Sequence, residues 1–392
     1  MEKAPISLAA QRRTNGRAAM PAAPIERDLP QVPNPFLWPL VAAATASDAA
    51  ARYFGELARA LTDTDANPPK PEPAWATPNA IALDLATVRL RDFSSQSEGP
   101  ATLICAPFAL HGATIADFAP RHSLVQALCA AGLDRVFITE WRSASAEMRF
   151  LSIDNYLADL NVVVDTLALP IDLIGLCQGG WMALLYAARF PGKVRRLVLA
   201  GAPVDVRAGD SAISDLASNM PLSTFAEIVQ LGAGRLIGSR VIEAWGAALA
   251  AEESLQVLQL PADLGAAESR ALERRFRDWY DWTVDLPGTY YLQIVSWLYK
   301  ENRIADGRFV ALGRQADLAD VDIPIFLLAA RDDTLVAPAQ LLATANLVGT
   351  PPHAIETLVE PCGHLSLFVG RRTLEHAWNR VATWLRRDLA PA

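Results

Sequence analysis

The sequence predicts an α/β protein with a mostly parallel, doubly wound sheet and an inserted helical cap. Short apolar runs alternate with helical patterns from about residue 101 to residue 200, and further runs occur at residues 323–330 and 355–359. Strands that alternate with helices are typical of parallel sheets, because each crossover needs a helix to bring the chain back. Over residues 204–303 the strand signal fades and aromatic residues become dense. This middle stretch therefore predicts a helical cap over the sheet.

Length and composition favour a globular protein and exclude several other classes. The chain has 392 residues, of which 52% are hydrophobic, and its formal net charge is −8. That is ample for a core, whereas an acidic chain without basic clusters is a poor candidate for nucleic-acid binding. We also expect no secretory signal and no transmembrane segment. Because the four cysteines (Cys105, Cys129, Cys177, Cys362) show neither CxxC pairs nor metal-ligand spacing, we expect no metal site, no disulfide framework and a cytoplasmic location.

The first part of the chain is predicted to precede the catalytic domain. Residues 1–33 are rich in Ala, Pro and Arg and have no periodicity, which predicts a flexible tail. Residues 34–78 are predicted to form an N-terminal helix and a Pro-rich linker. The helix, at residues 36–61, either packs on the catalytic domain or docks on a hydrophobic particle or membrane surface.

The predicted elements follow one another in the order expected of a doubly wound sheet. We assign residues 79–203 and 304–392 to the core of an α/β-type domain and residues 204–303 to the cap. A hairpin or edge strand is expected at residues 81–93 and a closing helix at residues 373–385. In such sheets the site lies outside the carboxyl ends of the strands. The remaining strands are predicted at residues 101–106, 135–139, 171–176 and 196–200, and helices at 124–130, 156–167 and 182–189.

The strongest single motif lies at residues 171–181. An apolar run ends in Gly-Leu-Cys-Gln-Gly, and a helical pattern follows. This arrangement matches the nucleophile elbow of the α/β-hydrolase fold, with Cys177 where Ser usually stands. The elbow would place the thiol at a helix N-terminus, where the dipole favours thiolate, and would direct the backbone N–H of Gln178 at an oxyanion. The alternative is that Cys177 is a small buried core residue.

Two later strands are each followed by a residue that completes a predicted catalytic triad. The order of nucleophile, acid and histidine is that of α/β-hydrolases. We expect His364 to take the thiol proton and Asp333 to hold its imidazole, with Asp332 as the alternative acid. The loop after the first buried strand is expected to supply a second oxyanion donor, the backbone N–H of Phe108 or Ala109.

Aromatic residues and one histidine are predicted to contact the substrate. Most cap aromatics should form the core of the cap, and a few should line an apolar slot. His111 lies in the predicted oxyanion loop, where it is either a structural residue or a substrate contact. The predicted substrate-binding residues are His111, Trp181, Trp282 and Tyr291.

Several short motifs are shared with one known superfamily. Residues 175–180 and 298–303 are similar to polyhydroxyalkanoate synthases, especially the class III catalytic subunit. Residues 201–207 and 362–364 are similar to intracellular polyhydroxyalkanoate depolymerases. From about residue 35 to its C-terminus the chain thus resembles this superfamily of cysteine-dependent α/β-hydrolase relatives.

The resemblance implies acyl-enzyme chemistry on hydroxyalkanoate esters through Cys177, Asp333 and His364. The first hypothesis is a depolymerase-like hydrolase of poly(3-hydroxybutyrate), in which water releases a 3-hydroxyacid. It is placed first because the region around His364 and residues 371–372 resembles the depolymerases. The second is a synthase that polymerises 3-hydroxyacyl-CoA, so that a chain-end hydroxyl attacks the acyl-enzyme. The third is a non-catalytic granule-associated protein, against which the intact triad argues.

The same resemblance implies the partners of the protein. No cofactor is expected, and CoA is a leaving group only if the protein is a synthase. The expected partners are the polymer or a hydroxyacyl ester or thioester. A granule surface and a second copy of the chain are further candidate partners. Water exclusion decides physically between hydrolysis and polymerisation, and the sequence leaves that choice open.

Overall fold

The computed structural model describes residues 71–241, 254–261 and 264–387. These residues all belong to one compact unit, Arg52–Ala392. The predicted tail at residues 1–33, the predicted helix at residues 36–61 and the first part of the linker lie outside the described residues.

An eight-stranded sheet forms the centre of this unit, with the order β1-β2-β4-β3-β5-β6-β7-β8. The first two strands form an antiparallel hairpin at one edge, and β2 also runs antiparallel to β4. All later neighbours are parallel. The predicted mostly parallel sheet is therefore confirmed. The strands are β1 (Ala80–Asp84), β2 (Val88–Asp92), β3 (Thr102–Cys105), β4 (Val136–Trp141), β5 (Ile171–Leu176), β6 (Val194–Ala200), β7 (Ile325–Ala330) and β8 (Ile355–Glu360).

Helices cover both faces of the sheet. Helix α1 begins after Ser123, whose hydroxyl accepts a hydrogen bond from the backbone N–H of Gln126 at 2.9 Å, which satisfies one of the free donors of the first turn. The last helix is preceded by a short turn at Arg371–Thr373 and a π-helical turn at Leu374–Trp378. The helices that flank the sheet are α1 (Leu124–Ala130), α2 (Ile153–Asp165), α3 (Gln178–Arg189), α9 (Pro338–Leu342), α10 (Ser366–Val369) and α11 (Asn379–Arg386).

Two apolar clusters lie on opposite faces of the sheet. Successive side chains of a strand point to opposite faces, so Leu103 and Cys105 join one cluster while Ile104 joins the other. Helices α2 and α3 cover the first cluster, and α1, α10 and α11 cover the second. Because both faces are covered, the central strands are buried along their whole length.

The segment between β6 and β7 is mainly helical. Its helix α7 buries Phe276 and Trp279, and a π-helix at Ile294–Lys300 follows α8. The described part of this segment also contains two short antiparallel pairs: Arg235–Leu236 with Leu286–Pro287, and Val310–Ala311 with Arg314–Gln315. The helices are α4 (Ala212–Asn219), α5 (Leu222–Leu231), α6 (Ser254–Leu258), α7 (Ala266–Asp281) and α8 (Gly288–Gln293).

Candidate active site

Cys177 lies in a sharp turn between β5 and α3, at the carboxyl end of a central strand. Its backbone has φ +48° and ψ −118°, a conformation that costs free energy for a residue with a side chain and persists only where the surroundings enforce it. Backbone hydrogen bonds hold both sides of the turn: the N–H of Cys177 donates to Ala200 and its carbonyl accepts from Gly180, each at 2.9 Å. The turn thus lifts the Cys177 side chain away from the sheet.

The glycines of the elbow allow a close approach that no larger residue permits. A Cβ on Gly179 would lie 2.2 Å from the carbonyl oxygen of Cys105, at the end of β3. A Cβ on Gly180 would lie 2.2 Å from the Cβ of Ala202, which follows β6. The first turn of α3 therefore packs directly on the two neighbouring strand ends.

His364 and Asp333 form a buried pair. The Nδ1–H of His364 donates to Oδ2 of Asp333 at 2.6 Å. The other carboxylate oxygen, Oδ1, accepts the backbone N–H groups of Leu335 and Val336, both at 2.9 Å. Asp332 is exposed and lies 3.6 Å from Arg331. The structure therefore pairs Asp333, and not Asp332, with the histidine.

The His364 ring also faces the Cys177 side chain. Burial lowers the pKa of His364, but the Asp333 carboxylate and a hydrogen bond and charge interaction with Cys177 raise that pKa by more. The pKa of His364 therefore lies well above its usual value. A histidine that stays protonated beside a thiol favours a thiolate–imidazolium pair, which is the reactive form of a cysteine nucleophile.

A hydrogen-bonded chain of side chains leads from the core to the region of Cys177. The indole N–H of Trp181 donates to Oε1 of Gln178 at 2.6 Å, and Nε2 of Gln178 donates to the hydroxyl of Tyr299 at 2.9 Å. Burial raises the pKa of Tyr299, and the charge of Cys177 raises it further. Tyr299 is thus a neutral hydroxyl group near the sulfur. Its motif, residues 298–303, was visible in the sequence, but the motif gave no role to this residue.

The structure places Trp181 away from any open surface. Its side chain is only 1% exposed and packs near Phe309, with 6.4 Å between ring centroids. Its face of α3 points into the core, and its substrate-binding role stays a prediction. Its indole orients the Gln178 amide.

The loop after β3 lies against the first turn of α3. The carbonyls of Cys105 and Ala106 are the nearest atoms to a Cβ built on Gly179, and the indole of Trp141 donates to the Ala106 carbonyl at 2.9 Å. The Phe108 side chain is buried, with its ring 4.7 Å from that of Tyr156. The roles of the N–H groups of Phe108, Ala109 and Gln178 stay predictions.

His111 joins this loop to the cap. Its ring lies between Trp279 and Tyr280, at centroid distances of 4.6 and 4.8 Å. Burial lowers its pKa to about 4, although a hydrogen bond to the backbone of Trp282 opposes the shift. His111 is therefore neutral at pH 7. The Trp282 ring closes over Gly112, where an added Cβ would lie 2.6 Å from it.

The remaining predicted substrate contact, Tyr291, lies in helix α8. Its ring is 6.3 Å from that of Phe225 in α5, so the two helices of the cap meet there. The substrate-binding roles of His111, Trp282 and Tyr291 stay predictions. Within residues 71–241, 254–261 and 264–387, no three His, Cys, Asp or Glu side chains are grouped as metal ligands. None of the helices in those ranges combines the length and hydropathy needed to cross a bilayer.

A strand–elbow–helix that carries a nucleophile, with an Asp–His pair after later strands, defines the α/β-hydrolase class. The chain belongs to the α/β-hydrolase fold family, whose model matches residues 132–371. The structure is similar to that of an enol-lactonase from Burkholderia xenovorans, with a TM-score of 0.49 and 16% sequence identity. The alignment covers 79% of this chain and 100% of the lactonase.

Curated relatives place the chain more narrowly. The poly(3-hydroxyalkanoate) polymerase subunit PhaC of Allochromatium vinosum is 26% identical over 275 residues, which cover 69% of this chain and 76% of the relative. The protein of the same name from Synechocystis is 29% identical over 290 residues, 69% of this chain and 73% of the relative. These relatives confirm the resemblance to the polyhydroxyalkanoate synthase superfamily and the prediction of an enzyme. They favour the synthase, the second of the two enzyme hypotheses, over the depolymerase.

Proposed function

We propose that this protein is a polyhydroxyalkanoate synthase, a hydroxyacyltransferase that uses Cys177, His364 and Asp333. The observation that carries the proposal is the buried His364 ring, which faces the Cys177 thiol on one side and the Asp333 carboxylate on the other. This arrangement belongs to a chain whose curated relatives are named polymerase subunits. The substrate would be a 3-hydroxyacyl-CoA thioester, and no cofactor is required.

In the first step the thiolate of Cys177 attacks the thioester carbonyl. A new carbon–sulfur bond forms, and the bond to the CoA sulfur breaks. The departing CoA thiolate takes the proton carried by His364, and CoA leaves as the free thiol. The backbone N–H of Gln178, at the free N-terminal turn of α3, is the expected donor to the oxyanion. Exchange of one thioester for another suits a cysteine better than a serine, because the bond formed resembles the bond broken.

In the second step a hydroxyl group attacks the acyl-enzyme. The neutral His364 takes the proton of a chain-end hydroxyl, an ester bond forms, and the bond to the Cys177 sulfur breaks. The polymer is then longer by one unit, and the thiolate–imidazolium pair is restored. Asp333 keeps the imidazole oriented in both steps and stabilises its charged form. Water in place of the hydroxyl would give hydrolysis, so the outcome depends on how well the cap excludes water.

The depolymerase is the second candidate, because residues 362–364 around the histidine and the segment at 201–207 resemble that subfamily. The two functions share one acyl-enzyme and differ only in the second nucleophile. Either one requires the same three side chains. A non-catalytic granule protein would require none of them.

The experiment offers purified protein 3-hydroxybutyryl-CoA and, in parallel, amorphous poly(3-hydroxybutyrate) granules. Free thiol, insoluble polymer and soluble 3-hydroxyacid are measured, and intact-protein mass spectrometry detects the acyl-enzyme. A synthase releases CoA thiol, makes polymer and carries the acyl group on Cys177. Release of 3-hydroxyacid from granules without polymer formation would instead establish the depolymerase. The control is Cys177→Ala, and equal behaviour of this variant and the wild type would remove the triad from the mechanism.

A further inference from the structure

A cavity of about 500 Å³ lies between residues 119–122, helix α7 and the turn that follows α10. This volume is within the range of small-molecule sites. Its lining contains none of the three residues Cys177, Asp333 and His364. The lining side chains that bear on its chemistry are Arg121, His122, Leu260, Arg274, Arg275 and Arg371.

Positive charge dominates the lining of this cavity. Four arginines line the cavity, whereas only two carboxylates do, those of Glu268 and Asp278. Arg121 is paired with Glu268 at 2.9 Å. Arg275 instead donates to the backbone carbonyls of Phe118 and Ala74, and neutral carbonyls leave the guanidinium charge uncompensated.

Arg274 is the arginine that remains uncommitted. Within the described residues its guanidinium makes no ion pair and no hydrogen bond that fixes it elsewhere. The chain as a whole carries a formal charge of −8, so a concave site with excess arginine is a local exception. Such a site concentrates anions.

Two of the four arginines, Arg371 and Arg121, act on one buried ring. Burial lowers the pKa of His122 and the charges of these two arginines lower it further, whereas a hydrogen bond to the Val369 carbonyl and the charge of Glu375 oppose the shift. His122 is therefore neutral at pH 7, and the two guanidinium groups act on the same ring from the cavity walls. Arg371 uses its Nε for Glu375 at 2.9 Å, which leaves its terminal nitrogens available.

The floor of the cavity is continuous with the segment that carries the catalytic histidine. Nδ1 of His122 lies 2.8 Å from the carbonyl oxygen of Val369, the last residue of α10. Helix α10 begins at Ser366, soon after His364, and Arg371 follows it. From His364 to Arg371 the chain rises roughly 10 Å if helical and spans at most about 25 Å if extended. The cavity wall at Arg371 therefore lies no more than about 25 Å from His364, which a ligand with a long arm can span.

We propose that this cavity binds the phosphate groups of the CoA part of the thioester substrate, an inference that rests on the proposed function. Guanidinium groups bind phosphate oxygens in pairs, with charge-assisted hydrogen bonds that ammonium groups do not reproduce. The phosphopantetheine arm separates the phosphates from the thioester, so the nucleotide occupies the arginine cavity while the acyl group lies at Cys177. The cavity thus distinguishes a CoA thioester from a simple ester.

Equilibrium binding tests the cavity independently of turnover. Isothermal titration measures Kd for CoA, for 3′-dephospho-CoA and for pantetheine, with the full chain and with Arg274→Gln and Arg371→Gln. We expect each substitution to weaken CoA binding about tenfold, as the loss of a charge-assisted contact does, and to leave the weaker pantetheine binding as it is. The matched control is Arg277→Gln, an exposed arginine of the same helix outside the cavity. CoA binding equal to that of the wild type in both cavity variants would overturn the proposal.

Competition and kinetics separate the remaining outcomes. Inorganic phosphate is tested as a competitor of bound CoA. If it displaces CoA at the same concentration as unlabelled CoA does, the cavity is a general anion site and the assignment to CoA is overturned. With 3-hydroxybutyryl thioesters, the ratio of kcat/KM for the CoA ester to that for the pantetheine ester should fall about tenfold in Arg274→Gln. An unchanged ratio contradicts the cavity proposal alone. Absence of turnover with both thioesters, while CoA binding still depends on Arg274, contradicts the proposed function and leaves the cavity site in place.

Discussion

His364 and Asp333 are joined by a 2.6 Å hydrogen bond between Nδ1 and Oδ2, and both side chains are buried. The second carboxylate oxygen is fixed by two backbone N–H groups of the following turn. The acid therefore cannot rotate away from the ring, and the other ring nitrogen is left to face Cys177. This fixed orientation is what a general base needs before any substrate arrives.

Replacement of Asp333 by asparagine should lower kcat while the fold is kept. An amide preserves the shape but removes the charge that stabilises the imidazolium, and it can donate where the carboxylate only accepts. We expect a loss of roughly a hundredfold or more in thioester cleavage. The control is Asp332→Asn, which alters an exposed carboxylate next in the chain and should behave as the wild type. Equal losses in the two variants would contradict the assignment of Asp333.

Alkylation should reveal that Cys177 is the reactive thiol. Burial raises the pKa of Cys105 to about 12 and that of Cys362 to about 11, so these thiols stay protonated and unreactive at neutral pH. Iodoacetamide at pH 7, followed by peptide mass spectrometry, should therefore label Cys177 well before either of them. Faster labelling of Cys105 or Cys362 in the folded protein would contradict the structure.

The pH dependence of that labelling should depend on His364. Because the pKa of His364 is raised, its positive charge persists through neutral pH and is lost only as the pH rises through that higher value. The charge lies beside the Cys177 sulfur, and a neighbouring cation favours the reactive form of a thiol. In His364→Gln this cation is absent, and the alkylation profile should shift to higher pH. The same profile in both proteins would exclude an ion pair.

The sequence was sufficient to predict the elbow and the order of the triad, because those signals are local. Gly-x-Cys-x-Gly between a strand and a helix, and an acid and a histidine after later strands, are patterns of adjacent residues. The choice between Asp332 and Asp333 as the acid required the structure of the following turn. In that turn the backbone N–H groups of residues 335 and 336 both donate to the Asp333 carboxylate. Periodicity located Trp181 on a helix but not the direction of its face.

Other parts of the site depend on contacts between distant segments. Tyr299 lies in the π-helix at Ile294–Lys300 and contacts Gln178, which lies 121 residues earlier in the chain. No local pattern encodes that pairing. The same holds for the arginine cavity, whose walls are formed by residues 119–122, by helix α7 and by the turn at Arg371.

The second elbow glycine, Gly180, should be required for stability. An added Cβ would lie 2.2 Å from the Cβ of Ala202, which is part of the backbone frame and cannot rotate away. Gly180→Ala should lower the free energy of unfolding by about 1–3 kcal/mol, the usual cost of overpacking a core. The control is Gly265→Ala, where no atom of the described residues lies within 4 Å of the new Cβ. Chemical denaturation measures both, and equal midpoints would contradict the close packing of the elbow on the strand end after β6.

Tyr299 should act as a positioning residue for Cys177. Its hydroxyl accepts the hydrogen bond from Gln178, so the hydroxyl proton is left for another acceptor. The charge of the Cys177 sulfur acts on this hydroxyl. Tyr299→Phe removes this hydroxyl and keeps the ring. We expect kcat for thioester cleavage to fall about tenfold, because the Gln178 side chain loses the hydroxyl that holds it, and the alkylation profile of Cys177 to change, because a polar group near the sulfur is removed. The matched control is Tyr290→Phe, since Tyr290 is equally buried but its hydroxyl contacts Met182 at 3.5 Å. If both variants lose stability to the same extent and neither shifts the alkylation profile, Tyr299 has only a structural role.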